Sequence, residues 1–164
     1  WQSAEESSRT TSFDRYQLYG RPEFSISYYN KGQLLGVGLG LVIRDATDNR
    51  ASLDDVMRRL NEQYAHRGLF YSDSLGVRLA AEEVIHQFRP DSRIDLSEFF
   101  ERYVAGTDPL PYSEWLSVAG LTLKVSGERR EVVELQQASD RQRRILAGLL
   151  SGETSAANDT PGAR

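Results

Sequence analysis

The residues of this chain best suited to chemistry stand together at Ser27-Tyr28-Tyr29-Asn30-Lys31-Gly32, at the head of a nearly uncharged apolar stretch. A phenol at a helix start can donate a hydrogen bond to developing negative charge, and the free N–H groups of that turn add positive potential. Other candidates are thinner. Glu83 and His86 form a single E-x-x-H, with Glu82 also one turn before His86. A di-iron bundle needs two such pairs and further carboxylates, so a helix histidine in partial contact with water is the plainer reading. His66, beside Arg67 and Gly68, suits a helix C-terminus, where positive charge is favoured. Asp54-Asp55 and Glu82-Glu83 read as helix-surface acids on which nothing converges as an acid/base pair. Arg129, Arg130, Arg141, Arg143 and Arg144 read as a solvated basic face. Gly36-Val37-Gly38-Leu39-Gly40 has neither the spacing nor the following helix start of a dinucleotide fingerprint.

The elements that must hold these residues are mostly helices. Ser27 to Ala46 is expected to be the central helix, with Leu34, Leu35, Val37, Leu39, Leu41, Val42 and Ile43 apolar nearly all round. Gly32, Gly36, Gly38 and Gly40 oppose a helix by about 1 kcal/mol each, which close approach of neighbouring helices would offset. A strand is the rival, since Val37 to Leu41 also alternates. Ser52-Leu53-Asp54-Asp55 opens a helix as a capping box, and Leu53, Val56, Met57, Leu60 and Tyr64 make one stripe ending before Gly68. Asp54 with Arg58, and Asp55 with Arg59, are expected to pair at i,i+4. Further helices are expected over Asp73 to Phe88, from an Asp95 cap to Gly106, and over Tyr112 to Val118. Leu121 to Val125 alternates with period two, Ser126-Gly127-Glu128 is a turn and Glu131 to Leu135 returns, so a β-hairpin is expected. A last helix should run from Ser139 to Leu150. The first 26 residues are polar apart from Phe13, Tyr16 and Tyr19, with one brief helix expected near Thr11 to Leu18 and loop around Pro22.

Composition narrows the function. With 164 residues the chain can bury one ordinary core, and a net charge of −4 with pI near 5.3 argues against nucleic acid as a partner. Cysteine is absent, which excludes disulfides and thiolate metal sites. The longest uncharged apolar run, Gln33 to Ile43, is about half of a membrane span. The chain opens at Trp1 with neither an initiator methionine nor a signal-peptide pattern, so residue 1 is expected to be a cut site.

Four blocks in order carry a resemblance. They are Tyr29-Asn30-Lys31-Gly32 before the apolar helix; Ser52-Leu53-Asp54-Asp55-Val56-Met57; Phe99-Phe100 through Tyr103-Val104 to Gly106-Thr107; and Leu110-Pro111-Tyr112 leading to Ala119-Gly120-Leu121. Together, over roughly residues 24–123, they resemble the C-terminal helical part of the glycyl aminopeptidase family, zinc metallopeptidases of the gluzincin type that often carry a PDZ domain. The resemblance implies that two histidines of an H-E-x-x-H and a later glutamate hold zinc. It further implies that the tyrosine before x-Lys-Gly donates its phenol hydrogen to the oxyanion formed at the peptide carbonyl. That role falls on Tyr29, not Tyr28, and Lys31 is expected to organise structure. The chain departs from the family pattern: it has no H-E-x-x-H, its helix carries glycines at 38 and 40, and no full PDZ domain fits after Gly120.

The expectation is therefore a mainly α protein, an irregular bundle around a buried central helix with a C-terminal hairpin and a final helix. Residues 1–120 would be the helical part of a metallopeptidase-like domain, 121–150 an appendage or PDZ remnant, and 151–164 a disordered tail. By the resemblance, zinc and the peptide substrate belong to a parent protein that removes small N-terminal residues. This chain alone would hold no metal and be inactive. No nucleic-acid or membrane partner is expected, while apolar surface on the severed cleft wall would favour self-association. The rival is a non-catalytic helical interaction module that has kept the scaffold.

Overall fold

The computed structural model describes residues 3–13, 27–65, 74–91 and 94–155. They form a mainly helical protein with a C-terminal antiparallel hairpin and a final helix. In chain order the elements are α1 (Ala4–Phe13), α2 (Tyr28–Ala46), α3 (Leu53–Tyr64), α4 (Ser74–Phe88), α5 (Ser97–Phe99) running into a π-helical turn (Phe100–Val104), α6 (Tyr112–Val118), β1 (Leu121–Ser126), β2 (Arg129–Glu134) and α7 (Asp140–Ser151). The chain divides into two compact units. Unit 1 comprises Trp1–Val37 with Asp95–Leu110, and unit 2 comprises Gly38–Ile94 with Pro111–Arg164.

In unit 1, α1 starts earlier than the brief helix expected near Thr11, and residues 14–26 lie outside the described residues. Its start has a local cause: Ser3 Oγ accepts from Glu6 N at 3.0 Å, the S-x-x-E spacing of a capping box. The first turn of α2 is capped by Ser27, whose Oγ accepts from Asn30 N at 3.3 Å while its carbonyl accepts from Lys31 N at 3.0 Å. The expected cap at Asp95 falls one residue earlier than the observed one: the helix starts from Leu96 with no side-chain cap, and Asp95 Oδ1 makes a local contact, accepting from Ser97 N at 2.8 Å. The segment is not the single α-helix expected from the apolar spacing. After Phe99 it widens into the π turn, closed by Ala105 N to Phe100 O at 2.9 Å. Arg102 braces that turn, with Nη1 on Glu98 at 2.9 Å and Nε on Asp108 at 2.8 Å, and these bonds raise its pKa. Phe99 and Tyr103 are buried and meet edge to face at 5.6 Å.

In unit 2, the second half of α2 is buried through Leu39, Leu41 and Ile43, whereas Leu34 and Val37 in its first half are exposed. The strand rival is excluded by the continuous helix. Glycine has a specific cause at one position: a Cβ on Gly38 would fall 2.4 Å from Trp115 Cε3, so the indole of α6 lies directly on the backbone of α2. Gly32 meets nothing within 4 Å and Gly40 only an ordinary contact, so the close approach expected for the whole glycine series holds at Gly38. Gly32→Ala is accordingly expected to stabilise the protein by about 1 kcal/mol, the ordinary helix preference. A urea midpoint shifted downward would contradict that.

The helices α3 and α4 pack against each other around Val56, Leu60, Ala81, Val84 and Ile85. The expected i,i+4 pairs on α3 do not form. Asp55 instead accepts from Ser52 N at 2.7 Å and pairs with Arg58, so its carboxylate is used up at the cap. Arg59 turns to α4 and grips both oxygens of Glu83. The helix ends at Tyr64, and Gly68 and Asp73 lie outside the described residues.

The hairpin pairs Leu121 with Glu134 through Ser126 with Arg129. Its two-residue loop has Gly127 at φ 59, while Glu128 is not among the residues of positive φ, which is a type II′ turn with glycine at the required first position. Ser139 and Gln142 form a capping box on α7, with Gln142 N to Ser139 Oγ at 3.2 Å and Ser139 N to Gln142 Oε1 at 2.8 Å. Gly152, at φ 78, ends the helix.

A buried polar cluster closes unit 2. Arg44 is 4% exposed, and its Nη1 donates to Asn49 Oδ1 at 2.5 Å and to the Glu153 carbonyl at 2.8 Å. Burial lowers the pKa of Arg44, and the nearby charges of Asp54 and Asp55 act against that shift. Asn49, at φ 63, donates from Nδ2 to Arg144 O at 3.2 Å, and its carbonyl accepts from Ser155 N at 2.7 Å. A Cβ on Gly148 would stand 2.6 Å from Arg44 Nη1, so glycine there admits the guanidinium. Outside this cluster, Arg141 clamps α7 to the end of α2, through Asp45 Oδ1 at 2.6 Å and Asp48 Oδ1 at 3.1 Å.

Candidate functional site

The candidate site lies in unit 1 at the first turn of α2. Tyr29 is 69% exposed, so its phenol stands in solvent rather than in packed core. Ser27 consumes the N–H groups of Asn30 and Lys31, which leaves those of Tyr28 and Tyr29 without a partner among the described residues. The positive end of a 19-residue helix therefore sits at the base of the phenol. A helical side chain leans toward the N-terminus, which carries the Tyr29 ring over that end.

The Tyr28 and Tyr29 rings lie 4.2 Å apart at a tilt of 31°. A hydrogen bond with the Tyr29 side chain raises the pKa of Tyr28, with desolvation and the neighbouring phenol adding to it.

Lys31 has a structural place. Its Nζ donates to the Gly106 carbonyl at 3.2 Å, and burial lowers its pKa. A side chain on Gly106 would meet the Glu101 and Arg102 carbonyls at 2.5 Å, so the lysine reaches a backbone turn that only glycine can make. Two sequence blocks that stand 75 residues apart are thereby joined.

The other candidates separate from chemistry. Glu83 is held by Arg59 and by Gln63 Nε2 at 3.3 Å, and His86 is exposed. Asp54 is exposed and Asp55 serves the cap of α3. Among the described residues no group of three or more histidine, cysteine, aspartate or glutamate side chains could hold a metal ion. His66 lies outside the described residues. No helix among the described residues is long and apolar enough to cross a membrane. The arginine run is only partly a solvated face: Arg141 and Arg144 bind Asp48, while Arg129 and Arg130 are exposed.

Comparison of the chain with protein-family models, with curated proteins and with solved structures gave no match.

Proposed function

We propose that this chain is the helical C-terminal part of a zinc aminopeptidase of the glycyl aminopeptidase kind, in which Tyr29 supplies the oxyanion donor. The observation that carries the reading is the exposed Tyr29 phenol at the first turn of α2, the positive end of that helix. Support comes also from Lys31, which ties the Tyr-x-Lys-Gly block to the block ending at Gly106, two of the four that carry the resemblance.

On this reading the tyrosine does one thing. When a peptide carbonyl becomes tetrahedral, its oxygen gains a full negative charge, and a donor fixed beforehand stabilises that charge more than it stabilises the substrate. The backbone N–H groups of Tyr28 and Tyr29 add a positive field to the same region. By the resemblance, the metal and the water-activating glutamate would be supplied by another part of the parent protein. The parent would act on N-terminal glycine and other small residues, and this chain would be a cleft wall without turnover.

Hydrolysis of glycine and alanine anilides tests the reading. The chain of 164 residues is expected to give none, whatever zinc is added. The polypeptide read from the gene together with its upstream sequence is expected to give cleavage that a chelator abolishes. Zinc-dependent cleavage by the chain alone would sink the proposal, as would an upstream sequence without H-E-x-x-H.

A further inference from the structure

Among the described residues the hairpin has no third strand beside β2 and leaves Val125 and Val132 exposed, and its charges say what fits there. In an antiparallel ladder, residues alternate between exchanging bonds with the opposite strand and pointing their N–H and C=O groups away from it. The two-residue loop makes Ser126 and Arg129 a bonded pair, and the bond from Leu135 N to Gly120 O at 2.8 Å continues the same alternation. Arg130, Val132 and Glu134 therefore direct their backbone groups outward at the open edge of β2. The side chains of these three residues share a face with Leu121, Leu123 and Val125, across the strand pairing. Val125 and Val132 on that face are 60% and 51% exposed.

A two-stranded hairpin is marginal in water without a further strand or cover. An open strand edge is a template for another strand, and proteins usually guard it with charges that repel a copy. Here the charges invite one. If β2 meets a second β2 antiparallel about Val132, Val132 faces itself and Arg130 faces Glu134 on both sides of the symmetry axis. Within one chain these two residues stand four positions, about 13 Å, apart along the strand. Among the described residues neither has an ion-pair partner, and both are exposed. On the opposite face Glu131 would approach its own copy diagonally, but Arg129 Nη2 already lies 3.6 Å from Glu131.

We infer that β2 docks antiparallel on β2 of a second copy of this chain, giving a four-stranded sheet in the order β1-β2-β2-β1. The outward N–H and C=O groups of Arg130, Val132 and Glu134 are then bonded across the two-fold axis, and the apolar faces of both hairpins become one surface. An edge of three outward residues makes this association reversible and dependent on concentration. It stands apart from the Tyr29 reading and uses no residue of that site.

Sedimentation of the full chain over a range of concentrations tests it. The unaltered chain is expected to dimerise reversibly. Arg130→Glu and Glu134→Arg each turn two attractive cross-strand pairs into repulsive ones, and each is expected to weaken the dimer about tenfold or more. The double variant Arg130→Glu with Glu134→Arg rebuilds both pairs with their signs exchanged and should return to the original affinity. An equimolar mixture of the two single variants should associate more tightly than either alone. A chain that stays monomeric at every concentration overturns the inference, because the edge then awaits some other strand. A dimer indifferent to both reversals, or a double variant as weak as the singles, overturns it equally.

Discussion

Tyr29→Phe is expected to lower kcat by about a hundred- to a thousand-fold in a polypeptide that joins this chain to the zinc-binding part proposed above, with zinc content unchanged. Loss of one preorganised donor to an oxyanion costs about 3–4 kcal/mol of transition-state stabilisation. The ring remains, so stacking on Tyr28 at 4.2 Å is kept and only the hydroxyl is lost. Because the bond is made to charge that exists only in the transition state, kcat and kcat/KM should fall together while KM stays near its starting value. Tyr28→Phe is the control, since it removes the neighbouring hydroxyl and not the one that would face substrate. Its loss should be much smaller. Near-normal turnover of the Tyr29 variant would take the phenol out of the mechanism.

Trp115→Ala is expected to be the most damaging single substitution for stability, at about 3–5 kcal/mol. The indole is 8% exposed and lies on the backbone of α2 at Gly38. The same contact makes a sharper prediction for the glycine. Alanine at position 38 would gain about 1 kcal/mol of helix preference, but its methyl would stand 2.4 Å from a buried ring carbon. Overpacking of that kind costs about 1–3 kcal/mol, so Gly38→Ala should destabilise the protein. With Trp115 already replaced by alanine, the obstacle is gone and Gly38→Ala should stabilise. Denaturant unfolding of the four variants gives the cycle. An effect of the same sign in both backgrounds would refute the packing argument.

Much of the architecture was legible because local signals agreed. Ser52-x-x-Asp55 marked the start of α3, Pro111 the start of α6, and Gly127 between alternating residues the turn of the hairpin. What stayed hidden depends on partners distant in the chain. Arg59 chose Glu83 over Asp55 because Asp55 was already engaged by the cap, a competition that i,i+4 spacing cannot express. The π turn after Phe99 leaves no compositional mark beyond an apolar spacing that also fits an α-helix. The start of α1 could have been found, since Ser3 and Glu6 carry the same capping spacing that was used at Ser52. At the candidate site, the sequence pointed to Tyr29 through its place before x-Lys-Gly, and exposure agrees with a phenol that can be reached. The Lys31 contact with Gly106 was out of reach, because a lysine stem gives no hint of which carbonyl it will find.

The order in which the polypeptide leaves the ribosome has its own consequence. Unit 1 comprises no residue beyond Leu110, so all of it has been made while later codons are still being read. Arg44 must wait for a carbonyl 109 residues further on, at Glu153, before its cation is fully housed. The nascent chain therefore carries an unfinished interior through most of its synthesis, and a stall or premature stop before Glu153 would release unit 2 with that cation uncovered.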